Sequence, residues 1–181
     1  MHTKIIEKLS VSTQDKKQIE KLQRMCFPDV SVQEARLDFC HVPTAHVLVF
    51  DQLELIGWAG LHISNVIFEQ QEIKLGGYGI CTHPEYRRKG VARQMCKKAF
   101  DFFRENYCDV AFVSVDPKNT ASITLHKKCG FVFLGQQFSW HNALGELDSD
   151  DGGMIAPICS PQLYSLIYHS KTILYVGKGY W

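Results

Sequence analysis

The stretch of this chain best equipped for chemistry runs from Gly79 to Ala92, Gly-Ile-Cys-Thr-His-Pro-Glu-Tyr-Arg-Arg-Lys-Gly-Val-Ala. An apolar, strand-like run ends near Thr82, His83-Pro84 turns the chain, and an amphipathic helix opens at Val91. A basic turn that runs into a helix is suited to phosphate. The first-turn N–H groups have no partner within the helix and carry a partial positive charge. Gly90 lets the backbone approach an anion with no Cβ between them, and Arg87, Arg88 and Lys89 add counter-charge. The same residues also describe a solvated basic turn. Neither G-x-x-x-x-G-K-[ST] nor G-x-G-x-x-G occurs, so neither a P-loop nor a Rossmann dinucleotide site is expected.

Two further groups stand out. Asn119, Ser122, Leu125, Gly130 and Phe131 follow the basic turn, with the apolar run Val110 to Val115 in between. Near the end, Asp148, Asp150 and Asp151 crowd a glycine-containing stretch, and the chain stops on Trp181.

The elements that must position these residues are legible from periodicity. Lys4 to Leu9 reads as a strand, and Ser12 or Thr13 caps a helix through Cys26, with Ile19, Leu22 and Met25 or Cys26 on one face. Pro28 ends it, and Ser31 with Glu34 forms a capping box for a second helix to Cys40. Ala45 to Phe50 and Leu53 to Ser64 form a hairpin around Asp51-Gln52, and Val66 to Phe68 and Ile73 to Thr82 continue the sheet. Val91 to Tyr107 carries a stripe of Val91, Ala92, Met95, Cys96, Ala99, Phe102 and Phe103, the mark of a helix packed on one side. Asn119 to Cys129 is a short helix with Gly130 at its C′ position. Phe131 to Leu134 is a strand, Asn142 to Gly153 a loop followed by a strand-like segment, Gln162 to His169 a helix, and Thr172 to Val176 a last strand. The order predicts one domain over residues 1–181, a mixed α/β sheet covered by helices.

Bulk composition narrows the function. Of 181 residues, 45% are apolar and 22% charged, as in a globular domain. A net charge of +1 gives no basis for bulk nucleic-acid or membrane binding. The seven cysteines are odd in number, scattered and without a C-x-x-C pair. They read as reduced, core-filling thiols of a cytoplasmic protein, not as a disulfide framework or metal site. The N-terminus has no apolar h-region, so a signal peptide is not expected.

The pattern Arg87-Arg88-Lys89-Gly90-Val91-Ala92 behind His83-Pro84-Glu85-Tyr86 resembles the [RQ]-x-x-G-x-[GA] motif of the GNAT superfamily of acyl-CoA N-acyltransferases. Asn119, Ser122, Leu125, Gly130 and Phe131 are similar to that family's second motif, in the same order, and the element order is similar across most of the chain. The resemblance implies a mostly antiparallel twisted sheet flanked by helices, and acetyl transfer from acetyl-CoA to a primary amine by direct attack, without a metal. It implies that the amides from Arg87 and Arg88 through Ala92 hold the CoA pyrophosphate. The backbone of Ile80, Cys81 and Thr82 would pair with the pantetheine arm, and an amide there would polarise the thioester carbonyl. Asn119, beside Ser122, would bind near the thiol end. Cys81 reads as structural.

The chain departs from the family at two places. Where the family often has a tyrosine to protonate the leaving thiolate, this chain has His126; an unperturbed imidazole is about a quarter protonated at pH 7. The other reading of His126 is a surface residue at a helix end. The strand Gly76 to Thr82 carries no carboxylate, which leaves the general base unassigned: His62, His83, Glu72 or a loop aspartate relays through water, or the enzyme accepts the minor neutral amine. The acidic stretch and terminal Trp181 are loosely similar to aminoglycoside 2′-N-acetyltransferases. There Asp148, Asp150, Asp151 and the Trp181 carboxylate would bind a polycation; the plainer reading is a solvated turn. A small-molecule amine is the expected acceptor. A protein or peptide acceptor, or a non-catalytic acyl-CoA-binding module, is the alternative, and a homodimer is compatible with either.

Overall fold

The structure, a computed structural model, describes residues 1–7, 11–28, 43–142 and 144–178. The helix expected from Ser31 to Cys40, with Cys40 itself, and the terminal Trp181 lie outside the described residues.

The strands are β1 (His2–Glu7), β2 (Ala45–Asp51), β3 (Glu54–Phe68), β4 (Gln71–Thr82), β5 (Val110–Ser114), β6 (Val132–Phe133), β7 (Phe138–His141), β8 (Leu147–Asp150), β9 (Gly153–Pro157) and β10 (Leu174–Lys178). The α-helices are α1 (Thr13–Cys26), α2 (Val91–Glu105), α3 (Thr120–Lys128) and α4 (Pro161–His169). Seven strands form one sheet in the order β1-β2-β3-β4-β5-β9-β6, and three form a second in the order β10-β7-β8. Within the large sheet only β4 and β5 run parallel, so it is mostly antiparallel, as expected.

Strand alternation sends successive side chains to opposite faces. Val47, Val49, Ala59, Leu61, Tyr78, Ala111 and Val113 meet the α2 stripe of Val91, Met95, Cys96, Ala99 and Phe103 on one face. On the other face Leu48, Phe50, Trp58 and Cys81 meet Ile19 and Leu22 of α1. Farther along that second face, Leu75, Val110, Phe112 and Ile155 meet Ile167 of α4 and Phe138, Leu174 and Val176 of the small sheet. Gly76 lets α2 come close: a Cβ there would lie 2.6 Å from the Phe103 ring.

Two expectations are corrected. Residues 54–68 form one continuous strand, because β3 pairs with β4 without interruption from Gly57 to Phe68. The region expected as a loop from Asn142 to Gly153 contains β8, whose polar residues pair through their backbones with β7, Asp148 opposite Trp140 and Asp150 opposite Phe138.

Ser12 caps α1 by accepting from the Asp15 N–H at 3.0 Å, and its hydroxyl donates to Asp15 Oδ2 at 2.8 Å. Lys4 of β1 donates to Asp15 Oδ1 at 3.0 Å, tying strand to helix. Burial works against the Asp15 charge, but the hydrogen bonds from Ser12 and Lys4 outweigh it and hold its pKa below the ordinary value. A lowered carboxylate pKa contributes stability above the unfolded-state value, lost as pH falls through the folded value. Ser12→Ala is expected to cost about 1 kcal/mol in urea unfolding at pH 7. Asp15→Asn destabilises at pH 7, and its stability converges on that of the wild type as the pH is lowered through the Asp15 pKa.

Candidate active site

The site begins where the central sheet comes apart. β4 and β5 pair at Leu75–Val110, Gly76–Ala111 and Gly77–Phe112, and no pairing is formed beyond Gly77. β4 continues to Thr82 on the β3 ladder, whereas β5 continues to Ser114 on the β9 ladder. Each strand follows its antiparallel neighbour, and the two diverge. The β5-facing edge of β4 from Tyr78 to Thr82 is therefore left to pair with something else, which fits the pantetheine role expected of Ile80, Cys81 and Thr82.

The same strand delivers the basic turn. A single 3-10 turn at Pro84–Tyr86 is capped by His83, whose Nδ1 accepts from the Glu85 N–H at 3.3 Å. Tyr86 donates its hydroxyl to Asp51 Oδ2 at 3.1 Å, and Lys89 Nζ lies 4.9 Å from the Tyr86 ring centroid. Arg88 and Gly90 both take positive φ, +61° and +84°. At Gly90 nothing lies within 4 Å of where a Cβ would sit, so the glycine faces open space. Gly90 is the N-cap of α2 without a side-chain cap, and no acidic residue stands in the first turn. The first-turn amides from Val91 and Ala92 onward thus lack both a cap and a competing carboxylate, with exposed Arg87, Arg88 and Lys89 beside them. This is the electrostatics of an anion seat, and the residues present fit a pyrophosphate.

Beyond the split, Asn119 caps α3, its Oδ1 accepting from the Ser122 N–H at 3.0 Å. Its side-chain oxygen is thus engaged, leaving the exposed amide Nδ2 for a ligand. His126 is not a surface residue: it is 2% exposed. Its Nδ1 donates to the Ser122 carbonyl at 2.8 Å and sits 3.2 Å from the Ser122 hydroxyl. A carbonyl only accepts, so Nδ1 carries the hydrogen. Nε2 is buried without a hydrogen-bond partner among the described residues. Burial lowers the pKa, opposed only by the hydrogen bond to Ser122, so the imidazole is neutral at pH 7. The quarter-protonated state expected of an unperturbed histidine does not apply. His126 instead joins an aromatic trio, stacked on Tyr78 at 5.7 Å and edge-on to Phe131 at 5.3 Å. Tyr78 directly follows the last paired residue, so the trio backs the split on the α2/α3 face.

The three candidate bases separate by register. His62 lies opposite Gly77, at the split. Glu72 lies opposite Ile67, five residues earlier on β4, about 16 Å away at strand rise. His83 lies beyond the strand, in the turn it caps, with Nε2 3.9 Å from Glu54 Oε1. Of the expected acceptor residues, Asp148 Oδ2 accepts from Asn142 Nδ2 at 3.0 Å and Asp150 Oδ1 from the Asp151 N–H at 2.6 Å. Both are engaged within their own hairpin.

What sequence reasoning passed over is the pair Gly77 and Gly79. A strand glycine marks close backbone approach, and the G-x-G spacing puts both on the face where Leu75 and Cys81 point. At Gly79 nothing lies within 4 Å of a built Cβ. Tyr78 and Phe131 were not singled out as site-forming either; their role depends on contacts between elements far apart in the chain.

A family model described as the acetyltransferase (GNAT) family matches residues 16–131. N-alpha-acetyltransferase 30 of Saccharomyces cerevisiae is 23% identical over 73 residues; the match spans 39% of this chain and 42% of that relative. The fold is shared with the Chaetomium thermophilum Naa20 in complex with a bisubstrate analogue, with a TM-score of 0.62, 11% identity and coverage of 98% of this chain and 97% of that one. It is shared with the ribosomal-protein-S18-alanine N-acetyltransferase of Escherichia coli, with a TM-score of 0.55, 15% identity and coverage of 87% and 94%. It is also shared with the aminoglycoside 6′-N-acetyltransferase of Acinetobacter haemolyticus, with a TM-score of 0.56, 21% identity and coverage of 73% and 91%.

Gly90→Val puts a β-branched side chain into the open space at the helix mouth and strains a positive φ. Binding of CoA, measured by calorimetry on the folded variant, is expected to weaken at least tenfold, about 1.4 kcal/mol; unchanged affinity would remove the turn from the site. For His126, a lowered pKa means that the unfolded chain takes up a proton below about pH 6.5 that the folded chain does not. Stability therefore falls with pH in that range. His126→Phe is expected to make this fall shallower, whatever its effect at pH 7, as read from urea midpoints at pH 7 and 5.

Proposed function

We propose, of a chain that belongs to the acetyltransferase (GNAT) family, that it transfers an acetyl group from acetyl-CoA to the free N-terminal amine of a peptide or protein. The observation that carries this reading is the uncovered glycine floor at Gly79. The aromatic trio backs the split on one face, so the acceptor approaches from the other. There Gly79 presents backbone with open space above it, a surface that an extended peptide can cross. The sequence match to an N-alpha-acetyltransferase supports the same acceptor, and the engagement of Asp148 and Asp150 within β7–β8 weighs against a polycation site there.

Bound acetyl-CoA supplies an activated carbonyl, and the chain's residues do the rest. The α2 first-turn amides and Arg87, Arg88 and Lys89 hold the phosphates. The backbone edge of β4 from Tyr78 to Thr82, apart from the Thr82 carbonyl that accepts from Cys26, aligns the arm and offers an amide to the carbonyl oxygen. His62 takes the amine proton. It stands opposite Gly77, and alternation along β3 puts it on the acceptor face, since Leu61 and Ile63 pack on the other. No side chain on Gly77 or Gly79 separates it from the split. His126, neutral and without a proton on Nε2, is assigned to holding Tyr78 and Phe131; a departing thiolate, whose pKa is about 8.5, needs no strong acid near neutral pH.

The chemistry of the base favours an α-amine. At pH 7.5 an α-amino group of pKa 7.7–8.0 is roughly a quarter to two-fifths neutral, and a lysine amine only about 0.1%. A site with an imidazole and no carboxylate on β4 from Gly76 to Thr82 is matched to the first. The test is thiol release from acetyl-CoA with free N-terminal peptides, N-terminally blocked lysine peptides, polyamines and aminoglycosides. Free N-termini are expected to be acetylated and blocked peptides not. Turnover of polycations alone, with a Michaelis constant that rises with salt, would establish the small-molecule reading instead. His62→Asn is expected to lower kcat at least tenfold with CoA affinity unchanged.

A further inference from the structure

The six described cysteines fall into three neighbourhoods, Cys26 with Cys81, Cys96 with Cys129, and Cys108 with Cys159. The first touches the split. Cys26 is the last residue of α1 and is half-buried. Its thiol donates to the Thr82 carbonyl at 3.3 Å, next along β4 from Cys81, and its side chain packs against the apolar cluster that contains Cys81. Cys81 is 5% exposed and packs between sheet and α1 with Leu22 and Trp58. The ionisable groups facing Cys26 are Cys81 and the Arg87 guanidinium. We infer that Cys26 and Cys81 form a reactive dithiol that a peroxide closes into a reversible disulfide, and that the closed form binds CoA less tightly.

The geometry supplies what such a site needs: a half-buried attacking thiol at a helix end, a second thiol in the cluster it packs against, and the Arg87 cation facing the first. The neighbouring Cys81 thiol and then Arg87 lower the Cys26 pKa against burial, which makes its thiolate easier to reach than that of an ordinary cysteine. Cys81 is held up by its hydrogen bond with Cys26 and by burial, and stays a thiol. The Cys26 thiolate attacks one peroxide oxygen, forming a sulfenic acid as hydroxide leaves and takes up a proton. The Cys81 sulfur then displaces the sulfenic hydroxyl, losing its own proton, and a second water departs. Two thiols lose two electrons and two protons, and the peroxide gains them.

The bridge reaches the CoA stretch directly. It removes the S–H donor from the Thr82 carbonyl. It also draws the two sulfurs to about 2.05 Å, moving β4 beside the residues that border the arm. This consequence rests on the assignment of β4 and the 87–92 turn to CoA.

The test treats the full chain with hydrogen peroxide, alkylates remaining thiols and maps linked peptides by mass spectrometry. A Cys26–Cys81 peptide is expected, reversed by dithiothreitol and missing in Cys26→Ser. CoA titration by calorimetry is expected to show at least fivefold weaker binding after oxidation in the wild type and no change on peroxide treatment in Cys26→Ser. Cys81→Ala gives the same control from the buried side. Separate alkylation of Cys26 and Cys81 after peroxide, or a linked pair with unchanged CoA affinity, overturns the inference. If the reduced wild type itself fails to bind CoA, the CoA assignment fails, and the linked peptide alone decides the dithiol.

Discussion

The parting of β4 from β5 after Gly77 is the constraint on which the rest of the site depends. A parallel pair inside a sheet ordinarily satisfies its backbone along its whole length, and an exposed row of N–H and C=O groups invites another strand. Here the two strands are pulled apart because each is bound more extensively to an antiparallel neighbour, β4 to β3 over twelve register pairs and β5 to β9 over five. Tyr78, His126 and Phe131 pack just past the last parallel pair, on the face where α2 and α3 lie. A ligand with amide groups of its own, as a pantetheine arm has, can restore the missing pairing.

The same divergence sets which chemistry is affordable. On β4, alternation sends Tyr78 and Ile80 toward α2 and α3, and Gly77 and Gly79 to the opposite face, the one proposed for the acceptor. A carboxylate at either glycine would stand beside the reacting carbonyl as a strong base, but it would also cover the floor. The chain has the floor instead. In the proposed mechanism the proton goes to a group on the adjacent strand, and His62 holds that register, opposite Gly77. An imidazole is a weak base for a lysine amine and an adequate one for an α-amine. In the proposed mechanism, openness of the floor at Gly79 and choice of amine are thus one decision.

Much of this was legible in the sequence where the signal is local. The α2 stripe, the basic turn with its glycine, Gly130 at the end of α3, and the Ser12 cap are each written within a few residues. The β7–β8 hairpin was not. Leu147, Ser149 and the aspartates of β8 show no apolar alternation, because the strand lies at the edge of a small sheet and pairs through its backbone. His126 read equally well as a surface residue, since α3 carries only a weak apolar periodicity. Its burial comes from Tyr78 on one side and Phe131 on the other, and neither contact can be seen in the helix alone. The split itself has no sequence signature beyond the Gly77-x-Gly79 spacing, as it arises from competition among non-local ladders.

Precision at the anion seat has a separate origin. Held N–H groups help an acyl transfer only if the helix that carries them is fixed to within about half an ångström of the productive geometry. α2 is fixed from beneath by close approach: a Cβ at Gly57 would lie 2.6 Å from Val91 Cγ1, and one at Gly76 equally close to Phe103. These two glycines sit under the first and last turns of the helix, so neither end can rise without opening a void, and voids in a packed core are costly. The turn ahead of the helix is held by the Tyr86 hydroxyl on Asp51, at the far end of β2. The seat is therefore referenced to the β2–β3–β4 ladder at three points, and that ladder also carries His62 and the glycine floor. The residues that the proposed mechanism assigns to phosphates, carbonyl and base thus belong to one ladder, whereas β5 and α3 lie across the split on the β9 side. In the proposed mechanism, a motion that opened or narrowed the split would change the grip on the arm without disturbing the alignment of the base with the anion seat.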